Sequence, residues 1–397
     1  MRISVIGGSL GGLSTALVLR DLGHDVTVFE RSPSPLEQRG AGIGLLRETS
    51  RYLEERAGVD IDSISISTAY IRHLNRAGDV VHEQRHPYRF SSWNTIYRHL
   101  LKQFGTARYL LGHEVVAIRQ DHDDARLEFT AGDILSADLA VCADGVGSRF
   151  RSQYLPGAVP RYSGYVAWRG MVAEADLPAW VPERLGDAIT YSVIANSHIL
   201  VYPIPGLDGS VAPGSRLLNF VWYRNYLEGT DLDDVLTDRD GLRREVSVPP
   251  GLARPDHVAE VKAHASARLP PAIAAVVCAT VDPFVQVVVD VAVDAMVFGR
   301  VCLLGDAAWV ARPHAAAGTA KAADDAWALA DAIAGATASD GQVDLSSALA
   351  TWELRQLGVG RRLHERVSAI GRQSQFDGTW RADDPDHLFG LHAPGTH

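Results

Sequence analysis

Short apolar runs, separated by glycine-rich or polar turns, organise the start of this chain. Residues 2–6 form one such run, and the leucines from Leu13 to Leu22 then recur at roughly helical spacing. A second apolar run over 26–29 ends at Glu30. A helix between two buried strands is typical of the βαβ unit of a parallel sheet, so the pattern predicts that unit here.

Apolar and polar positions alternate through the middle of the chain, and this alternation predicts strands. A hairpin is expected over 68–86, with its turn at 77–79, and aromatic-rich runs predict a mainly antiparallel sheet. The predicted strands are 114–118, 126–130, 139–142, 162–172, 189–193, 199–203, 217–223, 284–289 and 301–304. The predicted helices are 97–104, 231–238, 255–267, 271–279, 320–336 and 345–372. The last twenty-five residues, with Gly, Asp, Pro and His, are expected to form a poorly ordered tail.

Nucleotide-fold elements occur at both ends of the chain, with the aromatic strands between them. The fold class is therefore predicted as α/β (α+β overall), with a discontinuous Rossmann-like domain, an inserted, mainly antiparallel substrate domain and a C-terminal helix. The nucleotide-binding domain is assigned 1–72, 97–161 and 287–340, the substrate domain 73–96 (a hairpin) and 162–286, and the C-terminal helix and tail 341–397. A cleft between two such domains is where small ligands usually bind.

Composition excludes several classes of function. The net charge of −10 argues against a general nucleic-acid footprint. The absence of a long apolar run or a leader-like segment predicts no membrane span and a cytoplasmic protein. Cys142, Cys278 and Cys302 are expected to be buried, reduced thiols. No Cys/His spacing suggests a metal site.

Three separated motifs suggest chemistry. The first is the turn 7–12, Gly-Gly-Ser-Leu-Gly-Gly, between the first strand and helix. Such glycines let a backbone approach a pyrophosphate at a helix N-terminus, and Glu30 can accept hydrogen bonds from a ribose. Ser9 replaces the usual second glycine and adds a hydroxyl. The alternative is a glycine turn that serves packing alone.

The other two motifs also end apolar strands. Asp144-Gly145 follows the strand 139–142 and can organise a ligand loop, although an Asp-Gly pair is also an ordinary turn. Asp306 follows 301–304 and can hydrogen-bond a ribitol hydroxyl. The small residues 315–318 allow a flat ring to lie on the backbone before a long helix, whose N-terminus stabilises negative charge.

In this order and spacing, the three motifs resemble the FAD-dependent aromatic hydroxylases of the para-hydroxybenzoate hydroxylase type. Residues 7–9, 165–170, 202–206 and 313–318 resemble the branch of this family that hydroxylates 2,6-dihydroxypyridine. The resemblance implies that FAD is bound, that NADH or NADPH reduces it, and that a C4a-hydroperoxide on the flavin hydroxylates a small aromatic substrate with O2. Residues 40–44 resemble the loop beside the flavin ring. The cofactor-binding residues implied are Gly7, Ser9, Leu10, Gly11, Gly12, Glu30, Arg31, Gly42, Ile43, Arg47, Asp144, Gly145, Asp306, Pro313, Ala315, Ala316, Ala317 and Gly318.

Candidates for contact with the substrate lie in the loop 313–318 and on the predicted substrate sheet. His314 lies in the loop expected at the flavin, where it is predicted to be catalytic by orienting the substrate or taking a proton, with a structural contact as the alternative. Tyr191, His198, Tyr202, Trp222 and Tyr223 lie on the predicted substrate sheet, where aromatic residues also form cores. Arg169 and Arg312 could pair with an acid or meet a ligand.

The favoured hypothesis is a flavin monooxygenase acting on a hydroxylated ring, most of all a hydroxypyridine. Another phenolic or natural-product aromatic, a non-hydroxylating flavoprotein such as a halogenase or dehydrogenase, and a nucleotide-binding module without catalysis remain open. A homodimer is a further expectation.

Overall fold

The computed structural model describes residues 1–37 and 41–396, and within them it contains eighteen strands and ten α-helices. The strands, in chain order, are β1 Arg2–Ile6, β2 Asp25–Glu30, β3 Gly42–Gly44, β4 Ile66–Leu74, β5 Val80–Ser92, β6 Tyr109–Leu111, β7 Val115–Gln120, β8 Ala125–Phe129, β9 Ile134–Ala137, β10 Leu139–Cys142, β11 Arg161–Ala173, β12 Ala188–Ile194, β13 Ser197–Ile204, β14 Leu217–Asn225, β15 Ser247–Val248, β16 Phe284–Asp290, β17 Val297–Phe298 and β18 Val301–Leu303. The helices are α1 Leu10–Asp21, α2 Arg47–Glu55, α3 Trp93–Phe104, α4 Arg149–Tyr154, α5 Trp180–Leu185, α6 Thr230–Leu236, α7 Pro255–Arg268, α8 Pro271–Ala279, α9 Gly318–Gly335 and α10 Leu345–Arg372.

A six-stranded sheet has the order β17-β18-β10-β1-β2-β6. Its strands pair in parallel from β18 to β6, and β17 alone is antiparallel. β1, β2, β10 and β18 are almost wholly buried, as expected where helices cover both faces of a parallel sheet. Because parallel strands all end at the same edge, this topology brings the three predicted motifs together.

The second large sheet has nine strands in the order β15-β16-β11-β14-β13-β12-β4-β5-β3. It is antiparallel except where β12 pairs with β4, which confirms the predicted character of the inserted sheet. β3 and β4 both begin before residue 72, so this sheet recruits strands earlier in the chain than the predicted domain boundary. A three-stranded sheet, β7-β8-β9, completes the architecture.

Side-chain alternation gives the nine-stranded sheet two different apolar faces. One face packs against α7 and α8. The opposite face packs against the segment 315–320, helix α10 and the end of the chain. The second face therefore lies next to the carboxyl edge of the six-stranded sheet.

The prediction of a poorly ordered C-terminal tail is wrong. Phe389 and Leu391 are only 5% and 3% exposed, and they belong to the core on the second face of the nine-stranded sheet. The Phe389 N–H donates to the Tyr88 hydroxyl (2.8 Å), and the Gly390 N–H donates to the carbonyl of Ala315 (3.2 Å). Burial of these two apolar side chains fixes the segment to the core, although most of its residues are polar.

The three cysteines differ in their burial. Cys142 and Cys302 are buried, whereas Cys278 is partly exposed, so the expectation for Cys278 is wrong. Among the described residues, no helix combines the length and apolar character that crossing a membrane requires.

Candidate active site

The first glycine turn is compact and leads directly into a helix. Gly7 has φ +101°, and a Cβ there would stand 2.3 Å from the carbonyl oxygen of Ala143. A Cβ on Gly12 would meet the Gly7 carbonyl oxygen at 1.9 Å, so only glycine fits either position. The Ser9 side chain makes no capping hydrogen bond to α1, and Leu10 begins the helix. The first N–H groups of α1 are therefore not capped by that side chain, which suits an anionic diphosphate.

Glu30 lies at the end of β2, beside this turn. Its carboxylate accepts hydrogen bonds from the N–H of Gly8 and of Ser32, both at 2.8 Å. A carboxylate has about four acceptor positions, so two remain for ribose hydroxyls. Arg31 is exposed next to it.

The second motif forms a capped turn after β10. Asp144 accepts hydrogen bonds from the Ser148 hydroxyl (2.6 Å) and from the Arg149 N–H (2.9 Å). Gly145 has φ +80°, and a Cβ there would meet nothing within 4 Å. Desolvation raises the pKa of Asp144. The carboxylate organises the loop, and Gly145 keeps its outer side open to a ligand.

Asp306 follows β18 in a short turn of 3₁₀ helix, Gly305–Ala307. The residue keeps an exposed surface, but protein atoms crowd its carboxyl end and raise its pKa to about 6. Nearby Lys321 and Arg151 oppose that shift. Within the described part of the chain, its carboxylate accepts no hydrogen bond. An accessible acceptor without a partner at this point suits the hydroxyls of a ribitol chain.

A buried ion pair supports the turn that carries Asp306. Lys321 and Asp325 are 2% and 0% exposed, and Nζ lies 2.5 Å from the Asp325 carboxylate. The other carboxylate oxygen of Asp325 accepts a hydrogen bond from the Gly305 N–H (3.0 Å). The pair thus connects helix α9 to the turn that precedes Asp306.

The loop 313–318 is shaped by one strained residue. Ala316 has φ +53°, in the left-handed region that favours glycine. A Cβ on Gly44 would lie 2.6 Å from the Ala316 Cβ, so glycine at position 44 makes room for this loop. Ala317 provides no side-chain cap for α9, which leaves a second helix N-terminus for a ligand to approach. Ala315 and Ala317 are buried, and Pro313 and Gly318 are exposed.

Replacing Ala316 with glycine is expected to raise the free energy of unfolding by about 0.5 to 1 kcal/mol. The left-handed conformation costs an alanine about 1–2 kcal/mol, and glycine removes this cost. The greater conformational freedom of glycine in the unfolded chain cancels part of the resulting stabilisation. Urea unfolding of the FAD-free protein measures the difference. The matched control is Ala320→Gly, in the first turn of α9, which should lose about 1 kcal/mol or more. Equal losses in both variants would contradict the assignment of strain to Ala316.

Strand β3 belongs to the loop expected beside the flavin, and it is fixed to the nine-stranded sheet. The Gly42 N–H donates to the side-chain oxygen of Asn219 (3.0 Å). The Gly42 carbonyl accepts from Tyr202 and from Arg169, both at 2.9 Å. Ile43 is half-buried in this strand, and Gly40 lies outside the described residues.

These contacts change the roles of two predicted residues. The Tyr202 hydroxyl is used on Gly42, so this residue holds the cofactor loop and its hydroxyl is not directed to a substrate. Arg47 begins α2, and its 74%-exposed side chain reaches Glu55 at 3.5 Å. The structure gives no inward contact for Arg47.

Aromatic and histidine side chains cover the second face of the nine-stranded sheet beside this loop. The His198 ring centroid lies 4.6 Å from that of Tyr223 and 5.4 Å from that of His314. The Tyr223 and His314 centroids are 4.8 Å apart. Tyr191 lies on the same face and stacks on His73 at 5.0 Å. The structure therefore brings four of the predicted residues, from distant parts of the chain, into one cluster of contacting rings. This cluster, together with the small cavity beside it that Tyr191, Trp380 and His387 line, is called the chamber below.

Trp222 does not belong to this group, and its prediction as a substrate contact is wrong. Successive side chains of a strand point to opposite faces, so Trp222 faces away from its neighbour Tyr223. It lies in the core against α7 and α8, and its indole N–H donates to the Ser197 hydroxyl (2.9 Å).

The C-terminal segment forms a further wall of the chamber. Trp380 stacks on His387 with a centroid distance of 3.9 Å, and it lies 4.9 Å from His198. The side-chain amide of Gln375 is 3.1 Å from His198 Nδ1. Sequence reasoning missed these residues, although two aromatic and several apolar side chains after residue 378 argue against disorder.

Burial keeps the histidine and tyrosine side chains of the chamber neutral near pH 7. Desolvation lowers the pKa of His314 to about 3 and that of His198 well below its ordinary value. It raises the pKa of Tyr191 and Tyr223. Arg312 pairs with Asp290 at 2.7 Å, whereas Arg169 donates hydrogen bonds to the Gly42 carbonyl and to Gln286 and lies beside the Tyr202 hydroxyl. Of the two arginines left open by the sequence, Arg312 is the one with an acidic partner.

The residues present fit FAD. A tight glycine turn, two helix N-termini without side-chain caps and the accessible carboxylate of Asp306 lie at the edge of the six-stranded sheet. Gly11 and Ala322 bring the two helices together, since a Cβ on Gly11 would lie 3.1 Å from the Ala322 Cβ. These groups would hold the diphosphate and ribitol, and β3 with the loop 313–318 would border the flavin ring.

Comparison with known proteins identifies relatives over the whole chain. A family model described as an FAD binding domain matches residues 1–224, and one described as FAD binding domain-like matches residues 162–290. The chain is 38% identical to 2,6-dihydroxypyridine 3-monooxygenase of Paenarthrobacter nicotinovorans over 391 residues, covering 98% of this chain and 96% of that protein. It is 27% identical to 6-hydroxynicotinate 3-monooxygenase of Bordetella bronchiseptica, covering 98% of this chain and 94% of that protein.

A solved structure agrees with these sequence matches. The structure of 2,6-dihydroxypyridine-3-hydroxylase from Arthrobacter nicotinovorans superposes with a TM-score of 0.92 at 38% identity. The match covers 99% of this chain and 97% of that one. The fold predicted from the three motifs is thereby confirmed.

Proposed function

This chain belongs to the family that carries this FAD binding domain and is an FAD-dependent monooxygenase, and from this premise we propose that it hydroxylates a hydroxypyridine such as 2,6-dihydroxypyridine. Bound FAD, reduced by NADH or NADPH, supplies the activated oxygen. The observation that carries the proposal is the chamber beside the flavin loop, where neutral His198 and His314 lie among aromatic side chains.

The chamber suits a small, flat and electron-rich ring. Tyr191, Tyr223 and Trp380 provide aromatic surfaces on which such a ring can pack. Tyr165 occupies Nε2 of His314 and Gln375 occupies Nδ1 of His198, so each neutral imidazole can offer its other nitrogen to a ring hydroxyl or a ring nitrogen. A nitrogen that accepts a hydrogen bond from a ring hydroxyl increases the electron density of the ring, which favours its oxygenation.

Exclusion of water supports the same reaction. The sheet face, the loop 313–318 and the C-terminal segment pack together around the rings of the chamber. A dry site protects the activated oxygen from unproductive decay and strengthens each hydrogen bond to the ring. Asn219, Tyr202 and Arg169 hold the flavin loop against the same sheet, so ring and cofactor share one rigid support.

Arg169 favours ring substrates that carry a negative charge. It carries the charge nearest the flavin loop that has no carboxylate partner among the described residues, and it lowers the pKa of Tyr202 and Tyr223 against the effect of burial. Its positive potential would stabilise an ionised ring hydroxyl. A ring carboxylate, as in 6-hydroxynicotinate, is the second candidate for this charge.

The test is a substrate panel on the purified, FAD-loaded enzyme. The panel contains 2,6-dihydroxypyridine, 6-hydroxynicotinate, salicylate and 4-hydroxybenzoate, and it measures NAD(P)H oxidation, O2 uptake and product mass. We expect 2,6-dihydroxypyridine to gain one oxygen atom with kcat/KM at least about tenfold above the two benzoates, because buried polar groups reject rings that leave them unpaired. NAD(P)H oxidation without oxygen insertion, or faster hydroxylation of a benzoate, would overturn the proposal.

A cytoplasmic location and a homodimer stay predictions. Three cysteines without disulfide bonds and the need for NAD(P)H support the location. Cell fractionation and light scattering would test the two statements separately.

A further inference from the structure

A hydrogen bond at the centre of the chamber leaves one polar atom without a partner. The Tyr165 hydroxyl, on β11, lies 2.7 Å from Nε2 of His314. The two residues are 0% and 7% exposed. The other ring nitrogen, Nδ1, is buried and has no hydrogen-bond partner in the described part of the chain. Such an orphaned buried atom is costly and calls for an explanation.

The charge states of the two side chains restrict how they share protons. Burial lowers the pKa of His314 to about 3 and raises the pKa of Tyr165 above its ordinary value. At neutral pH the pair is therefore a phenol and an uncharged imidazole. A neutral imidazole carries its proton on one nitrogen only, and the hydrogen bond made by the other nitrogen selects which one.

Arg312 determines the direction of this hydrogen bond. Its guanidinium carbon lies 5.7 Å from the centre of the Tyr165 ring, and Asp290 holds it with hydrogen bonds of 2.7–3.0 Å. A positive charge beside the phenol attracts the lone pairs of its oxygen, so the phenol proton turns toward Nε2. The phenol is then the donor and Nε2 the acceptor, and the imidazole proton resides on Nδ1.

Glycine at position 371 of α10 makes this arrangement possible. A Cβ on Gly371 would stand 2.5 Å from the Tyr165 hydroxyl, 2.9 Å from His314 Nε2 and 3.1 Å from Nη1 of Arg312. All three polar atoms therefore converge on one point of the helix. Any side chain at position 371 would push the network apart.

We propose that Tyr165 is a positioning residue that fixes His314 as its Nδ1–H tautomer, so that this N–H donates a hydrogen bond to a ring oxygen of the bound substrate. The identity of that substrate rests on the function proposed above. The tautomer rests only on Tyr165, Arg312, Asp290 and Gly371. Besides Arg312 and its partner Asp290, the groups facing His314 are the buried rings of His198, Tyr223 and His387, which are uncharged near neutral pH.

The first test reads the tautomer directly and needs no turnover. Long-range ¹H–¹⁵N spectra of protein with ¹⁵N-labelled histidine rings distinguish a protonated from an unprotonated nitrogen. The His314 signals are those that His314→Asn removes. We expect Nδ1 protonated and Nε2 unprotonated in the wild type, and a mixture of tautomers in Tyr165→Phe. Protonation at Nε2 in the wild type would overturn the proposal.

The second test uses amide side chains as fixed tautomers. The amide nitrogen of asparagine stands near the position of Nδ1, and that of glutamine near Nε2. We expect His314→Asn to keep the Kd for 2,6-dihydroxypyridine within about threefold, whereas His314→Gln should weaken it about tenfold, the value of one hydrogen bond. Titration of the flavin absorbance measures Kd without catalysis. Equal or better binding by His314→Gln contradicts the assigned donor.

A matched pair of tyrosine variants separates positioning from general support of β11. Tyr165→Phe should raise the Kd three- to tenfold and reduce the fraction of NAD(P)H that yields hydroxylated product. Tyr162→Phe removes a hydrogen bond from the same strand, to the Tyr226 carbonyl at 3.0 Å, and should leave both quantities unchanged. Identical behaviour of the two variants overturns the role of Tyr165. A wild-type enzyme that binds no hydroxypyridine overturns the proposed function instead. The NMR spectra still report the tautomer of His314 in that case, because they require no substrate.

Discussion

Replacing Asp306 with alanine is expected to weaken FAD binding about 10- to 100-fold. The accessible carboxylate of Asp306 accepts no hydrogen bond within the described chain, and Lys321 and Arg151 lower its pKa against the effect of burial. A hydrogen bond to a charged acceptor contributes about 1.5–3 kcal/mol, which corresponds to this loss. Fluorescence titration of the FAD-free protein measures Kd, and the flavin absorbance that remains after desalting gives an independent reading.

Two further variants show whether the effect comes from this carboxylate. Asp331→Ala removes an exposed aspartate farther along α9 and should leave the Kd unchanged. Asp306→Asn keeps the shape and part of the hydrogen bonding, so its Kd should lie between those of wild type and Asp306→Ala. Full yellow colour in desalted Asp306→Ala would contradict the assignment of Asp306 to the ribitol.

The pH dependence of binding provides a second reading of the same residue. The pKa of Asp306 is raised to about 6, so the carboxyl takes up a proton as the pH falls through that value. If the ionised form is the better acceptor, wild-type affinity declines below pH 6, and linkage makes the pKa lower in the FAD complex. Asp306→Asn cannot titrate and should lack this part of the decline.

The cofactor half of the site could be predicted because its signals are local in sequence. Gly7 and Gly12 are required by contacts within one turn, and Asp306 follows its strand directly. The parallel sheet then assembles these motifs at one edge through a general rule of topology. Such motifs need no knowledge of side chains elsewhere in the chain.

The substrate half depends on contacts between distant segments. No local pattern connects Tyr165 with His314, or Arg169 with the Gly42 carbonyl. Strict alternation on β14 could have separated Trp222 from Tyr223, since neighbours in a strand face opposite sides. The polar composition of the C-terminal segment predicts disorder, whereas its few aromatic side chains decide where it packs.

The largest loss of stability is expected from Lys321→Met, about 3–5 kcal/mol in the free energy of unfolding. The variant leaves the Asp325 carboxylate buried, with the Gly305 N–H as its remaining partner. An unpaired buried charge costs about this amount. Denaturant unfolding of the FAD-free protein at pH 7.5 measures the loss.

The loss should also depend on pH, with a definite sign. Burial already raises the pKa of Asp325, and Lys321 opposes that shift, so removing Lys321 raises the pKa further. Below the unfolded-state pKa of about 3.9 both states are protonated and the penalty vanishes. As pH rises from there toward the folded-state pKa, the unfolded state loses its proton first and stability falls. The variant should therefore be closer to wild type at pH 5 than at pH 8.

Two controls isolate the buried charge as the cause. Lys102→Met removes an exposed lysine from α3 and should change stability by no more than about 0.5 kcal/mol. The double variant Lys321→Met/Asp325→Asn removes both charges and keeps an oxygen acceptor for the Gly305 N–H, so it should recover more than half of the loss. If Lys321→Met instead unfolds like Lys102→Met at both pH values, the ion pair does not stabilise the fold. Its importance would then lie in setting the charge around Asp306, where FAD affinity rather than unfolding reports it.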